Sequence, residues 1–378
     1  MTIRFQKWGR AVIGRALIAL IMIGALVTSG WLLMKPPQQS TPVAAANVPE
    51  AAPNGNAQTA AGPSVLEVSA PVQSEAPAPQ QEKNELEKWA AGLSGPLDIP
   101  ERALIGYATG ELTLRQEQPN CHLSWVTLAG IGKASSDHGR FGGGTLNADG
   151  VASKALHAVP LQGVAGEAAS DQRSGPMQLT GAEWKRGAGN VQDIDDASVA
   201  AGRTLCANGT NLQAGQSWWN AIDKYRDSDL FRQQVLGNAQ LYATLSLAPE
   251  KASAASTRAV RFALDQLGLP YVWGGNGPDA GAAGFDCSGL TKAAYDSAGV
   301  DLTRTADSQF RTEPPVPNTE PPAMGDLVFY GNPATRIHHV GLYLGNGLMI
   351  NAPQTGMAIQ IATYHVKGDD YVGAARPA

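Results

Sequence analysis

The chain has 378 residues and a formal net charge of −5 at pH 7, with 28 Lys and Arg against 33 Asp and Glu. That length suits two folded domains. The charge leaves no basic footprint, which argues against nucleic acid as the ligand.

Arg4, Lys7, Arg10 and Arg15 lie in residues 1–15 and precede Ala16 to Met34, an uncharged and mostly apolar run of nineteen residues. Such a run is long enough to cross a bilayer as one helix. Only Lys35 follows closely, so the positive-inside rule predicts a single-pass anchor in the cell membrane. The N-terminus is then cytoplasmic and the rest of the chain outside. The competing reading is a cleaved signal peptide, with Val43-Ala44-Ala45-Ala46 as a late cleavage site, although its apolar region is normally shorter. Residues 35–83 are rich in Pro, Ala, Gln and small polar side chains. They carry too little apolar surface to offset the entropy of ordering and read as a disordered spacer.

Two units follow. Residues 84–247 read as mostly helical: Trp125 to Gly132 is apolar, Ile194 to Cys206 has helical spacing, and Trp218 to Leu241 continues in that manner. The glycine-rich stretch from Gly139 to Gly150 predicts a long loop. Asp193, Asp195 and Asp196 fit a helix start rather than a calcium loop. A short Ala/Ser-rich joint, Ala248 to Ser256, leads to residues 257–378. There a helix carrying Val260, Ala263, Leu264 and Leu267 precedes the turn-rich Tyr271 to Gly284, a helix opening at Cys287, and short strands. The fold class is multidomain: one N-terminal transmembrane helix, a mainly α domain, then an α+β domain.

Cys287, in Gly284-Phe285-Asp286-Cys287-Ser288-Gly289-Leu290, is the leading chemical candidate. A thiol at a helix N-terminus feels the positive end of the macrodipole, which favours the nucleophilic thiolate. A cysteine matched with a histidine distant in sequence is the pattern of a cysteine hydrolase. His339 supplies that partner: it begins His339-Val340-Gly341-Leu342-Tyr343-Leu344, whose period of two puts His339, Gly341 and Tyr343 on one face. Gly345-Asn346-Gly347 signals a hairpin turn. With all three residues in the loop, Leu344 faces Leu348 and Gly341 faces Asn351, so Asn351 lies diagonally beside His339. A two-residue loop would send Asn351 to the opposite face. In this arrangement His339 holds the thiolate as an ion pair and later protonates the leaving amine, while Asn351 orients the imidazole. His338 points to the other face as a solvated or supporting residue, and nothing places His365.

The second unit resembles the NlpC/P60 family of cell-wall endopeptidases, which have a papain-like core. Pro270-Tyr271-Val272-Trp273-Gly274-Gly275, Asp286 to Leu290, Gly325-Asp326-Leu327-Val328-Phe329 and His339 to Tyr343 carry the resemblance, in the family's order and over nearly all of this unit. It implies cleavage of γ-D-glutamyl bonds to a diamino acid in peptidoglycan stem peptides. The third catalytic position varies in that family, and Asn351 is compatible with it. The resemblance also places Tyr271 near the nucleophile, as oxyanion support or as a packed aromatic, and Asp286 and Ser288 beside Cys287 as substrate support.

The first unit resembles the lysozyme-like lytic transglycosylases through Cys121-His122-Leu123-Ser124-Trp125, Ala129-Gly130-Ile131-Gly132, Ser174-Gly175-Pro176-Met177-Gln178-Leu179, Trp184 and Ile194-Asp195-Asp196-Ala197. In those enzymes a glutamate stands three residues before a His-Gly pair. Here His138-Gly139 is preceded at that position by Ser135, and the family's late Tyr-Asn pair is Tyr225-Arg226. Glycosidic cleavage needs a proton donor with a raised pKa, which a serine hydroxyl does not provide. The expectation is a domain without glycosidase activity that retains a glycan-binding groove. In the alternative reading Asp137 or Glu183 has taken over as acid.

Cys121 and Cys206 pair as a disulfide or remain two buried thiols; an extracytoplasmic location favours the bridge. The six scattered histidines and the cysteine spacing suggest no metal site, and no cofactor is called for. The leading expectation is a membrane-anchored endopeptidase facing the cell wall, acting on the stem peptides and glycan strands of peptidoglycan. The alternatives are a bifunctional hydrolase and a wall-remodelling scaffold of a conjugation or secretion apparatus, with protein partners unspecified.

Overall fold

The structure, a computed structural model, describes residues 64–66, 68–71, 79–161, 163–168, 172–187, 189–249 and 252–378. The proposed membrane span and its flanks lie outside the described residues, as does most of the spacer. Among the described residues no helix is long and apolar enough to cross a membrane.

The first domain is helical, as its periodicity predicts. Helices α1 (Pro79–Leu97), α2 (Glu101–Glu117) and α3 (Trp125–Ser136) lead to a two-stranded ribbon of β1 (Arg173–Ser174) and β2 (Leu179–Thr180). Then come the short α4 (Gly181–Trp184), α5 (Ile194–Leu205), α6 (Gly215–Tyr225) and α7 (Asp229–Leu247). The continuous run expected from Trp218 to Leu241 is two helices. Ser228 caps the second by accepting the Phe231 N–H, a local bond that competes with helix continuation. Asp193 caps α5 through the Asp195 N–H, as the acidic cluster predicted. A disulfide joins Cys121 to Cys206 across 85 residues.

The second domain opens with α8 (Ala254–Asp265), followed by α9 (Cys287–Ser297) and α10 (Ala306–Thr312). Strands β3 (Leu327–Asn332), β4 (Arg336–Gly345), β5 (Leu348–Asn351), β6 (Gln360–Thr363) and β7 (Tyr371–Ala375) form an antiparallel sheet ordered β6-β5-β4-β3-β7. Helices α9 and α10 pack on β4. Val340, Leu342 and Leu344 of that strand join the main core, while Tyr343 joins a smaller cluster with Val328, Tyr330 and Met349.

The joint at 248–256 does not separate two cores. One buried cluster runs from Leu104 and Trp125 through Val235 and Ala239 to Leu264, Leu342 and Ile361. Helix α7 carries it, lying against α3 on one side and β4 and β6 on the other. At Gly237 a β-carbon would sit 2.3 Å from Leu264 Cδ2 and 2.8 Å from Ile361 Cδ1, so the glycine lets the second domain close onto the helix. The Ile361 N–H donates to Gln233 Oε1 at 2.7 Å across the same junction.

The disordered-spacer expectation fails at residues 64–66 and 68–71. Val65, Leu66 and Val68 pack on the core, and Ala70 is buried. Asn346 donates to the Ser64 carbonyl, the Leu66 N–H to Gln240, and Ser124 to the Val68 carbonyl. The Ala70 N–H donates to the buried Glu111 carboxylate. A few apolar side chains with satisfied backbone groups suffice to dock a segment without regular secondary structure even in polar surroundings. Helix α1 also begins before residue 84, inside the predicted spacer.

Candidate active site

The nucleophile candidate sits where its motif predicts. Cys287 is the first residue of α9 and is buried. Asp286 is the N-cap, accepting the Gly289 N–H at 2.6 Å and the Gly274 N–H at 3.0 Å. Two backbone bonds fold the Tyr271–Gly275 turn against this helix start: Val272 N–H to Phe285 O at 2.9 Å and Asp286 N–H to Gly275 O at 3.1 Å. A β-carbon at Gly289 would lie 2.1 Å from that Gly275 oxygen, so the approach requires glycine. Tyr271 pairs with Phe285, two residues before Cys287, and is buried.

Arg304, which the sequence reading passed over, completes this corner. Its guanidinium grips Asp286 with two bonds, 2.9 Å to Oδ1 and 2.7 Å to Oδ2, and reaches Ser288 Oγ at 3.1 Å. Such a fork is among the stronger and more directional side-chain contacts. It fixes the residues on either side of Cys287. Asp286 and Ser288 are therefore already engaged with Arg304. Gln309, fully buried on α10, donates to the Ser288 and Thr303 carbonyls and accepts from Thr291. The Thr305-x-x-Ser308 capping box that starts α10 was the available sequence signal for this segment.

His339 and Asn351 meet through a register that neither hairpin expectation described fully. The turn has two residues, Asn346 (φ 51°) and Gly347 (φ 75°), between the paired Gly345 and Leu348. Alone, that loop would have moved Asn351 to the opposite face. A bulge between Tyr343 and Gly345 inserts one residue and restores the phase, so Leu342 pairs with Ile350 and Tyr343 with Met349. Gly345 takes the required positive φ of 104°. The expected Leu344–Leu348 pairing is replaced by Gly345–Leu348, while Gly341 and Asn351 do come together: a β-carbon at Gly341 would be 3.5 Å from Asn351 Cβ.

His339 is fully buried, its ring 5.7 Å from that of Tyr330 across the β3–β4 pair. Burial pushes its pKa down to about 4, with the neighbouring His338 adding to the shift and hydrogen bonding to Asn351 opposing it. Asn351 thus stands within reach of the ring, although neither ring nitrogen completes a bond of full geometry. This desolvation opposes the imidazolium of the expected ion pair with the thiolate and favours a neutral imidazole, which is suited to accept a proton. His338 points away and pairs with Asp370 at 2.6 Å, and His365 pairs with Asp369 at 2.8 Å.

In the first domain Ser135 lies near the end of α3, buried, its hydroxyl without a hydrogen-bond partner. The two substitute acids fare poorly. Asp137 is held at a pKa of about 2: burial alone would raise it, but bonds to Arg140 and Lys133 outweigh that. Glu183 is committed to the capping box of α4, accepting the Thr180 N–H at 2.7 Å, with Arg173 at 3.5 Å. Among the described residues no cluster of side chains suits a metal ion.

Residues 268–374 match the NlpC/P60 family. The chain carries an NlpC/P60 domain at its C-terminal end. A bifunctional muramidase/DL-endopeptidase of Bacillus subtilis is 32% identical over 189 residues, 49% of this chain and 55% of that protein. That match is longer than the NlpC/P60 segment itself, consistent with a lysozyme-like domain preceding it. A peptidoglycan endopeptidase of Mycobacterium tuberculosis is 36% identical over 123 residues, 30% of this chain and 25% of that protein. A γ-D-glutamyl-L-lysine dipeptidyl-peptidase of Bacillus subtilis is 41% identical over 99 residues, 26% of this chain and 32% of that protein. The chain thus spans about half the length of the first of these relatives and a third or less of the others.

Proposed function

We propose that this protein is a peptidoglycan hydrolase, a cysteine endopeptidase that cuts stem peptides at a γ-D-glutamyl–diamino acid bond. The observation that carries the reading is Cys287 at the start of α9, flanked by the Asp286–Arg304–Ser288 clamp, within the NlpC/P60 segment. Cys287 attacks the carbonyl carbon as the neutral His339 takes its proton; His339 then returns that proton to the departing amine, and water releases the acyl group. Asn351 holds the imidazole, and the α9 dipole stabilises the thiolate as it forms. Relatives whose names specify DL-endopeptidase and γ-D-glutamyl-L-lysine activities support the bond class. The first domain has no glycosidase activity and holds glycan: Ser135 cannot donate a proton, Asp137 stays ionised, and Glu183 is spent as a cap. The chain is anchored in the cell membrane with both domains outside, a placement in keeping with the Cys121–Cys206 bridge.

The second reading, a bifunctional hydrolase, is favoured by the name of the first relative. Mass spectrometry of muropeptides separates the two. Wild type yields peptide cleavage without anhydro-muramic products or new reducing muramic ends, Cys287→Ala yields none of the three, and Ser135→Glu adds glycan cleavage. Either glycan product from wild type would overturn the inactive-domain reading, and intact peptides with wild type would overturn the endopeptidase reading.

A further inference from the structure

Arg226 is the unusual residue of the first domain. It is 8% exposed, and its Nη1 is buried with no hydrogen-bond partner. Its guanidinium lies 5.7 Å from the ring centre of Phe231, an apolar face that does not meet its donors. The neighbouring charge is of the same sign. Burial and Arg173 both lower the Arg226 pKa, and the smaller pull of Glu167 and Tyr225 opposes them. The nearby carboxylates are otherwise committed, Glu167 to Ser228 at 2.7 Å and Glu183 to the α4 cap. Arg173 itself is anchored: it donates to the Gln178 and Tyr225 carbonyls and lies over the Tyr225 ring. Tyr225 in turn donates to the Met177 carbonyl at 2.6 Å, and Ser136 to the Pro176 carbonyl at 2.7 Å. Arg173 and Tyr225, the residue before Arg226, therefore hold the 176–178 segment, to which Ser136, next to the lost acid position, is also bonded.

A buried guanidinium with an unmet donor, on which the one opposing carboxylate pulls less strongly than the like charge beside it pushes, is costly and is retained in proteins chiefly where something pairs with it. We propose that Arg226, with Arg173 beside it, forms an oxyanion-binding site in the first domain, taking a carboxylate or phosphate group. Planar guanidinium donors match both groups in geometry. The source, which rests on the function proposed above, is a polymer of the wall: a phosphodiester-bearing polymer or the free carboxylates of peptide-free glycan. The site itself does not depend on that function.

Thermal unfolding of the full chain tests it, with inorganic phosphate as the first probe at constant ionic strength. Phosphate raises the midpoint of wild type and leaves Arg226→Gln unmoved. In phosphate-free buffer of the same ionic strength Arg226→Gln melts at or above wild type, because it removes a buried charge with an unmet donor; a structural arginine would give a lower midpoint. Peptide cleavage by Arg226→Gln stays at the wild-type level. An equal phosphate shift in both proteins, no shift in either, or a destabilised Arg226→Gln overturns the proposal. Co-sedimentation then identifies the source. Loss of wild-type binding after phosphate polymers are stripped from the wall assigns phosphate, and binding retained on stripped, peptide-free glycan assigns carboxylate. Equal binding of wild type and Arg226→Gln to both preparations rejects a wall polymer while leaving the phosphate result to judge the site.

Discussion

Replacing both bridged cysteines, Cys121→Ala with Cys206→Ala, tests whether the two domains unfold as one. The bridge spans 85 residues, and the loop-entropy relation gives a loss of about 4.5 kcal/mol through the unfolded chain. The resulting drop in melting temperature depends on how much of the protein melts together. With about 2 cal/mol/K of unfolding entropy per residue, a unit of about 300 residues loses roughly 7 °C. A first domain of about 165 residues melting alone would lose roughly 13 °C. The core running through α7 into Leu264 and Ile361 predicts the former. Scanning calorimetry should show one transition displaced by the smaller amount, with peptidase activity lost along the same curve. Two resolved transitions, the upper one retaining peptidase activity at its wild-type position, would refute the shared core.

Three further outcomes follow from the site. Asn351→Ala should lower kcat by about 10- to 100-fold with little change in KM, since it disturbs only the orientation of His339; an equal rise in KM would point to substrate contact instead. The lowered pKa of His339, about 4, means the unfolded chain binds a proton there that the folded chain refuses between pH 6.5 and 4. Folding stability falls as pH drops through that window, by about 3 kcal/mol from this group. His339→Gln should remove that loss, as read from urea midpoints at pH 4 and 7. Asp286→Ala deletes the α9 cap and leaves Arg304 unpaired in a partly buried corner, at a cost of about 2 to 4 kcal/mol. In the double variant with Arg304→Met much of that stability should return without the activity, by urea titration and peptide-cleavage assay.

What the sequence made legible, and what it did not, separates by physical range. The α9 cap at Asp286, the α5 cap at Asp193 and the period-two face of β4 are decided by residues within a few positions of one another, and each stands where its local pattern placed it. The clamp by Arg304 was hidden because its partner lies 18 residues away and nothing in the chain between marks their meeting. The docked segment at 64–66 and 68–71 was hidden for a related reason. Composition averaged over a long polar stretch conceals three apolar residues at alternate or adjacent positions, and their value comes entirely from the surface they meet. The hairpin is the most instructive case. Gly345-Asn346-Gly347 admitted two loops with opposite consequences for Asn351, and the structure combines a two-residue turn with a bulge that cancels its effect. A third glycine looks redundant for a tight turn, yet Gly345 at φ 104° is what allows the bulge. It follows that Gly345, remote from the chemistry, keeps Asn351 on the face of His339. A β-branched residue there should cost activity through register before it costs the fold.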